Sequence, residues 1–198
     1  MHQLLLATRN VHKTREFAQM LGTVCVVTDL RGRRDLPEVE ESGRTFEENA
    51  TLKAMTISRL VEGLVVGDDS GLEVDALGGA PGVYSARYAG EHASDSDNVA
   101  KLLADLASAG VDCEPTAQFR CVLAVAAGGA LLHLFSGAVG GMIARAPAGS
   151  QGFGYDPIFR PHGSSNTFAQ MGDEAKNAIS HRAAAIRQLR AYIETSSF

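Results

Sequence analysis

The sequence lacks any excess of positive charge. Its 198 residues carry a net charge of −5, so no broad basic face exists to hold polymeric DNA or RNA. A few cations that converge locally would still allow a small anionic substrate. Cysteine is also scarce, since the chain has only Cys25, Cys113 and Cys121. An odd number without metal-type spacing indicates reduced thiols and predicts a cytoplasmic location.

Long apolar runs are missing as well. No stretch reaches the roughly 20 residues that a membrane-spanning helix needs, so we expect no membrane partner. The opening MHQLLLATRN has no basic n-region and no cleavage-site pattern, which predicts that it is not a signal peptide. Repeats, low-complexity tracts and linkers are absent, and the composition is that of an ordinary globular protein. We therefore expect a single domain over residues 1–198.

Neither of the two common glycine-rich nucleotide motifs, G-x-x-x-x-G-K-[ST] and G-x-G-x-x-G, occurs in the chain. The first segment nevertheless predicts a strand at Gln3–Ala7, a break at Thr8–Asn10 and a helix that runs to Leu21. A helix that starts directly after a strand offers unpaired N–H groups to an anion, and Lys13 would lie near it. The alternative is a plain connection with an exposed lysine.

The apolar run Leu64–Val66 predicts a buried strand that ends at Asp68-Asp69-Ser70-Gly71. Two adjacent carboxylates at such a place are costly unless a cation meets them. Carboxylate oxygens suit Mg²⁺, which leaves room for phosphate and water. A strand followed by an acidic turn is the alternative. The polar loop Arg31–Ser42 carries the acidic run Glu38–Glu41, which could bring a second carboxylate to the metal.

A helix is predicted to begin at Thr45, which forms a capping box with Glu48. Its apolar stripe contains residues at spacings of three and four, namely Phe46, Ala50, Ala54, Ile57 and Val61. The helix is expected to end near Gly63. Lys53 is taken to lie off the stripe, with its ammonium in a cleft or, by default, in solvent.

The remaining elements follow from periodicity and turn residues. Strands are predicted at Val24–Thr28, Gln118–Ala127 and Leu131–Val139, the last two as a hairpin around Gly128-Gly129, and helices at Ser94–Ala109, Gly172–Ile179 and from Ser180 onward. The glycine-rich segment Gly149–Pro157 carries Phe153 and Tyr155. It could be a platform for a planar base, or a tight turn with its aromatic residues in the core.

Seven segments together resemble the inosine triphosphate pyrophosphatase family. They are Thr8-x-Asn10-x-x-Lys13, Glu40–Gly43, Phe46-x-x-Asn49-Ala50-x-x-Lys53-Ala54, Asp68–Leu72, Gly78–Tyr88, Phe153–Pro157 and Ser180-His181-Arg182. Each is weak alone, but the seven occur in the family's order from residue 4 to residue 182. The sequence departs from the family pattern at Arg9, where the family commonly has glycine. This side chain could alter access to the segment Thr8–Lys13, which the resemblance implies binds the phosphates.

The resemblance implies an α/β fold of two lobes around a long, twisted mixed β-sheet with flanking helices, and an active site in a central cleft. It also implies a homodimer. The implied activity is Mg²⁺-dependent hydrolysis of ITP, dITP and XTP, which are purine nucleoside triphosphates, to the monophosphate and pyrophosphate. A Maf-like nucleotide pyrophosphatase with another base preference is the alternative.

The resemblance also implies roles for individual residues. Glu40 and Asp69 would bind the metal, and Asp69 would also be the proton acceptor. Binding of the phosphates is implied for Thr8, Arg9, Asn10, Val11, His12, Lys13, Lys53 and Ser70. Binding of the nucleoside is implied for Phe153, Gly154, Tyr155, Asp156, Lys176, His181 and Arg182.

Overall fold

The structure, a computed structural model, describes residues 2–195 of the chain, and only the backbone of His2. Its strands are β1 (His2–Leu6), β2 (Cys25–Asp29), β3 (Leu64–Val74), β4 (Thr116–Ala127), β5 (Ala130–Ile143) and β6 (Phe159–Pro161). Its α-helices are α1 (Val11–Leu21), α2 (Phe46–Ser58), α3 (Asp95–Ser108), α4 (Asp173–Ile179) and α5 (His181–Thr195). Each of these elements overlaps one that the sequence predicts, except the short β6.

The strands form one mixed sheet in the order β2-β1-β3-β4-β5-β6. β1 runs parallel to both β2 and β3, and its last residue, Leu6, pairs with Asp29 and Val66. β5 and β6 are antiparallel. The carboxyl ends of β1 and β2 therefore lie at one edge of the sheet, level with Val66 near the start of β3. The predicted α/β class with a mixed sheet is confirmed.

The chain divides into two compact units. Within the described residues, unit 1 contains 2–69, 121–137 and 181–195, and unit 2 contains 70–120 and 138–180. The core of unit 1 packs α1 and α5 against β1 and β4, through residues such as Phe17, Leu123 and Ile186. The core of unit 2 packs α3 against strand residues and a group of phenylalanine rings that includes Phe119 and Phe159. Each unit therefore has an apolar core of its own.

The central strand is longer than the sequence predicts. β3 does not end at Asp68 but continues to Val74, and Asp68 and Asp69 are both buried within it. The expectation of an acidic end or turn at Asp68–Gly71 is therefore wrong. The strand can continue because cationic and amide side chains meet both carboxylates, as described below.

The helix α2 also differs from its prediction at both ends. Thr45 Oγ1 accepts the Glu48 N–H at 3.1 Å, but the Glu48 carboxylate accepts the N–H of Arg44 and not that of Thr45. Only one half of the capping box therefore forms. The helix ends at Ser58 rather than near Gly63, so Val61 lies beyond it and is only partly buried.

No helix among residues 2–195 is long and apolar enough to cross a membrane.

Gly67 sets how closely α2 approaches β3. A Cβ atom at this position would lie 2.1 Å from the backbone oxygen of Ala50 and 2.9 Å from the nitrogen of Ala54. Both atoms belong to the backbone of α2, which cannot move aside as a flexible side chain can. The helix therefore packs directly on the strand at a glycine.

We predict that Gly67→Ala lowers the free energy of unfolding by at least about 1–3 kcal/mol, because the added methyl group overpacks this contact. Urea unfolding followed by circular dichroism measures the change. Gly172→Ala is the matched control, since a Cβ there meets nothing within 4 Å and its φ is −72°. Equal stabilities for the two variants would contradict the close approach of α2.

Candidate active site

The turn between β1 and α1 is held by its own side chains. Asn10 is the N-cap of α1, and its Oδ1 accepts the backbone N–H groups of His12 at 2.9 Å and Lys13 at 3.2 Å. Thr8 Oγ1 accepts the N–H of Asn10 at 3.1 Å. The sequence predicts that the first amides of this helix are unpaired, and for His12 and Lys13 that expectation is wrong. The segment Thr8–Lys13 is called the phosphate loop below.

Asp68 lies at the centre of a buried cluster of charges in unit 1. Its Oδ1 is 2.5 Å from Lys13 Nζ, and its Oδ2 is 2.8 Å from Arg182 Nε. Arg182 also donates from Nη1 to Glu16 Oε2 at 2.7 Å. Arg182 is 2% exposed and Asp68 is 1% exposed. Two carboxylates and two cations therefore balance each other within this cluster.

The cluster fixes the protonation state of its members. Burial alone would raise the pKa of Asp68, but Arg182 and Lys13 outweigh it and hold that pKa well below its usual range. Cys121 donates its S–H to Asp68 Oδ2 at 3.5 Å. Burial and the Asp68 charge raise the pKa of this thiol well above its usual value. Cys121 is therefore a core thiol, as its apolar surroundings in the sequence indicate.

Asp69 faces a different set of partners. Its Oδ1 is 2.9 Å from Lys53 Nζ, and its Oδ2 accepts from Asn49 Nδ2 at 3.2 Å. Successive side chains of a strand point to opposite faces. Asp68 therefore contacts α1 and α5, whereas Asp69 contacts α2. Gly67 lies on the same face as Asp69, so the close approach of α2 at that glycine brings Asn49 and Lys53 within reach.

Lys53 joins two carboxylates. Its Nζ lies 2.6 Å from Glu41 Oε1 as well as 2.9 Å from Asp69 Oδ1, and the residue is 7% exposed. The expectation that the Lys53 head group lies in solvent by default is therefore wrong. The reason is visible in the sequence, since Lys53 follows Ala50 by three residues and precedes Ile57 by four. Those spacings place it on the buried stripe of α2, not off it.

Burial raises the pKa of Asp69. The positive charge of Lys53 lowers this pKa, whereas the negative charge of Glu41 raises it further. The net result is a pKa above the usual value of an aspartate. Such a carboxylate is a stronger base than an ordinary one. The oxygen donors Asp69 and Glu41 are also of the kind that a hard divalent cation takes, one or two at a time. No group of three or more metal-ligating side chains occurs among residues 2–195.

Two residues near Asp69, Glu41 and Asn49, were given no individual role from the sequence. Glu41 contacts Lys53, whereas its neighbour Glu40 is exposed. Asn49 is fully buried, and besides donating to Asp69 it accepts the N–H of Gly43 at 2.8 Å. An asparagine on the buried stripe of a helix was the signal that could have identified it. The assignment of Glu40 to the metal stays a prediction.

A second group of predicted residues lies in unit 2 and is organised by Asp156. Its Oδ2 accepts from Lys176 Nζ at 2.7 Å and from the N–H of Phe153 at 3.0 Å. Lys176 Nζ is also 4.9 Å from the centroid of the Phe153 ring. Gly152 has a φ of +76°, and a Cβ there would lie 1.9 Å from the same carboxylate oxygen. Only glycine therefore suits this turn.

The two aromatic residues of the turn differ in burial. Phe153 is half-buried, whereas Tyr155 is 3% exposed and donates its hydroxyl to the Ser85 backbone oxygen at 2.9 Å. Tyr155 is therefore a core residue, as the alternative interpretation of this segment states. The N–H of Gly154 donates to Asp95 at 2.6 Å. Among the turn's side chains, Phe153 is the aromatic ring that is partly accessible to a base.

The other predicted residues are placed as follows. Ser70 follows Asp69 in β3, is half-buried and belongs to unit 2. His181 is buried at the first position of α5 in unit 1, and Arg182 is occupied by Asp68 and Glu16. Arg182, Asp68 and Glu16 are far apart along the chain, so local patterns do not indicate that they pair. Their roles in binding a nucleoside stay predictions.

We predict that Asp68→Asn lowers the free energy of unfolding by about 3–5 kcal/mol, because removing one member of a buried ion pair leaves its partners uncompensated. Urea unfolding at neutral pH measures the loss. Asp35→Asn is the control, since it removes the surface pair between Arg33 and Asp35 and should change stability by less than about 0.5 kcal/mol. A loss no larger than that of the control would contradict the role of Asp68.

The same variant has a predicted pH dependence. A carboxyl group whose pKa is depressed in the folded state stabilises the fold above its unfolded pKa, near 3.9. That contribution disappears as the pH falls through the lower folded pKa. As the pH is lowered below about 4, the free energy of unfolding of Asp68→Asn should therefore fall less steeply than that of the unaltered chain.

The chain was compared with known protein families and with curated proteins. The sequence profile of the Ham1 family matches residues 4–192. A protein of Bacillus licheniformis described as dITP/XTP pyrophosphatase is 46% identical, over 98% of this chain and 99% of its own length. A protein of Streptococcus thermophilus with the same description is 49% identical over 94% of this chain, but the match spans only 58% of that longer protein.

Solved structures give the same result. A structure described as a HAM1 protein from Coxiella burnetii superposes with a TM-score of 0.89, at 38% identity, over 99% of this chain and 100% of its own. The recognition made from the seven sequence segments is thereby confirmed. This chain belongs to the Ham1 family.

Proposed function

We propose that this chain is a nucleoside triphosphate pyrophosphatase that hydrolyses ITP, dITP and XTP to the monophosphate and pyrophosphate. The observation that carries the proposal is the group formed by Asp69, Lys53 and Glu41 in unit 1. A buried base with a raised pKa, held by a lysine, is suited to activating water beside a phosphate chain. The descriptions of the B. licheniformis and S. thermophilus relatives supply the substrate class.

In this proposal, each of the site residues in unit 1 has a defined role. Asp69 accepts the proton of the attacking water, and Asn49 and Lys53 fix the direction of its carboxylate. Lys53 and Lys13 supply positive charge for the phosphate oxygens, which stabilises the transition state by electrostatics. The phosphate loop contributes the N-terminal end of α1. Asp68 and Arg182 keep Lys13 in place.

We propose a divalent cation, and specifically Mg²⁺, as the cofactor. Asp69 with Glu41 or Glu40 would hold it. When bound, it supplies charge neutralisation and polarises the phosphoryl oxygen. Lys53 offsets one of the two negative charges of Asp69 and Glu41, so the group keeps a net negative charge that would attract a cation.

For the base, we propose recognition by Phe153 and Lys176 in unit 2. The half-buried Phe153 ring offers a stacking surface, and the ammonium group of Lys176, 4.9 Å from the centroid of that ring, is a hydrogen-bond donor beside it. Position 6 of the purine is an acceptor oxygen in ITP and XTP, whereas ATP carries a donor amino group there. A donor in the site would be left unpaired by adenine, and such sites reject the wrong base by up to about 10⁴–10⁵. Ser70, His181 and Arg182 remain proposed contributors to substrate binding.

We further propose that residues 1–198 act as one functional domain, because neither unit is a continuous segment of chain. A cytoplasmic location fits the three free cysteines, one of which is exposed. Cytoplasmic retention of a fluorescent fusion would support that location, and export would contradict it.

We propose that the protein is a homodimer. The segment Leu77–Tyr88 supports this proposal, because it exposes Tyr84 to 57%. Multi-angle light scattering at micromolar concentration should give twice the chain mass of 20.9 kDa. A single chain mass would overturn the dimer without affecting the chemistry.

The function is tested by turnover of ITP, dITP, XTP, GTP and ATP side by side with Mg²⁺. We expect kcat/KM to fall from ITP and XTP to GTP and then to ATP, with little effect of the missing 2′-hydroxyl of dITP. Pyrophosphate release, coupled to an added inorganic pyrophosphatase, is the measurement. Equal kcat/KM for ATP and ITP would reject the base selection, and preference for another base would favour a Maf-like activity.

We predict that Asp69→Asn lowers kcat at least about 10²-fold, the lower range for loss of a general base. Asn has the same shape but cannot accept the proton. Circular dichroism and thermal unfolding serve as folding controls, with Glu38→Gln as a matched variant in the exposed acidic run. Near-normal turnover by a folded Asp69→Asn protein would show that another group is the base.

A further inference from the structure

The segment Leu30–Leu36 connects β2 to the acidic loop and is called the arginine loop here, because it carries Arg31, Arg33 and Arg34. It starts directly after Asp29, which pairs in register with the last residue of β1. The phosphate loop begins two residues after the end of β1. The two loops therefore leave neighbouring parallel strands at the same edge of the sheet.

Both ends of the arginine loop are anchored in apolar contacts. Leu30 is 4% exposed and Leu36 is 5% exposed, and they pack in one cluster with Ala7, Ile57 and Val65. The residues between them are polar and mostly exposed. Burial therefore fixes the two ends, whereas the middle of the loop depends on hydrogen bonds.

Three hydrogen bonds join this region to the phosphate loop and to the first turn of α1. The N–H of Leu30 donates to the Thr8 oxygen at 3.0 Å, and Thr14 Oγ1, on the first turn of α1, donates to Asp29 Oδ2 at 2.7 Å. The third comes from Arg9, whose Nη2 donates to the backbone oxygen of Leu36 at 3.1 Å. The first two hold the start of the arginine loop, and Arg9 holds its end.

The contact with Leu36 depends on the long side chain of Arg9. A glycine at this position would have no side chain to reach Leu36, and it would leave the phosphate loop more conformational freedom. An arginine restricts the backbone and adds a charged donor with a planar, fixed geometry. Arg9 therefore replaces freedom at the phosphate loop with a tether to its neighbour.

We propose that Arg9 is a positioning residue for the phosphates, an inference that rests on the proposed function. By holding the Leu36 carbonyl, it fixes the arginine loop against the phosphate loop and so keeps the backbone of Thr8–Asn10 in the conformation that binds phosphate. Arg9 acts through this hydrogen bond to Leu36 and not by direct contact with the phosphates of the substrate. Its loss therefore weakens substrate binding more than it slows the chemical step.

The test compares Arg9→Ala and Arg9→Lys with the unaltered chain in two measurements. The first is the rate of limited tryptic cleavage after Arg31, Arg33 and Arg34 without ligand, with cleavage sites identified by mass spectrometry. The second is KM and kcat for ITP. Asp35→Asn is the control, because it removes the ion pair between Arg33 and Asp35 inside the same loop and leaves Arg9 in place.

We expect Arg9→Ala to speed cleavage of the arginine loop and to raise KM roughly 3- to 10-fold, with kcat changed less than about twofold. Arg9→Lys, which can still donate to Leu36, should restore part of both properties. Asp35→Asn should leave KM unchanged.

Two results would overturn the proposal. One is unchanged cleavage in Arg9→Ala, and if KM is raised nonetheless, Arg9 contacts phosphate directly. The other is faster cleavage with an unchanged KM. If the unaltered chain does not hydrolyse ITP, the proposed function fails by itself. The Kd for inorganic triphosphate, measured by calorimetry, then replaces KM in the same comparison.

Discussion

Two adjacent carboxylates, Asp68 and Asp69, are buried in the central strand β3. Because water cannot solvate them there, the fold of unit 1 must supply partners for both charges. Asp68 is met by Lys13 and Arg182, and Asp69 is met by Lys53 and Asn49. An unpaired charge in such a place costs several kcal/mol, roughly the scale of a domain's whole stability. The elements that carry these partners are therefore placed by electrostatics as well as by apolar packing.

The alternation of a strand divides this requirement between two faces. One face of β3 directs Asp68 toward α1 and α5, where four charged groups cancel one another. The opposite face directs Asp69 toward α2, where Lys53 is shared with Glu41. The first arrangement fixes the side chain of Lys13, the last residue of the phosphate loop. The second retains a carboxylate with a raised pKa, which suits it to accept a proton.

A similar arrangement occurs in unit 2, where Asp156 is buried and is neutralised by Lys176. The same carboxylate accepts the N–H of Phe153, so the charge pair also fixes an aromatic ring. In both units, then, a buried acid–lysine pair fixes the group next to it. The proposed roles of the two groups differ, since Asp69 in unit 1 is proposed to activate water and Phe153 in unit 2 to stack on the purine.

The sequence by itself determined the order of the helices and of every strand except the short β6, because apolar periodicity and capping residues act locally, as at Thr45 and in the stripe from Phe46 to Ile57. It also determined the family, through short segments whose order along the chain is specific. Only the tertiary structure decided that β3 continues through Asp68 and that Glu41 rather than Glu40 contacts Lys53. The pairing of Arg182 with Asp68 and Glu16 was likewise beyond the sequence. Charge balance in a buried site depends on partners that are distant along the chain, and local patterns contain no information about which of them meet.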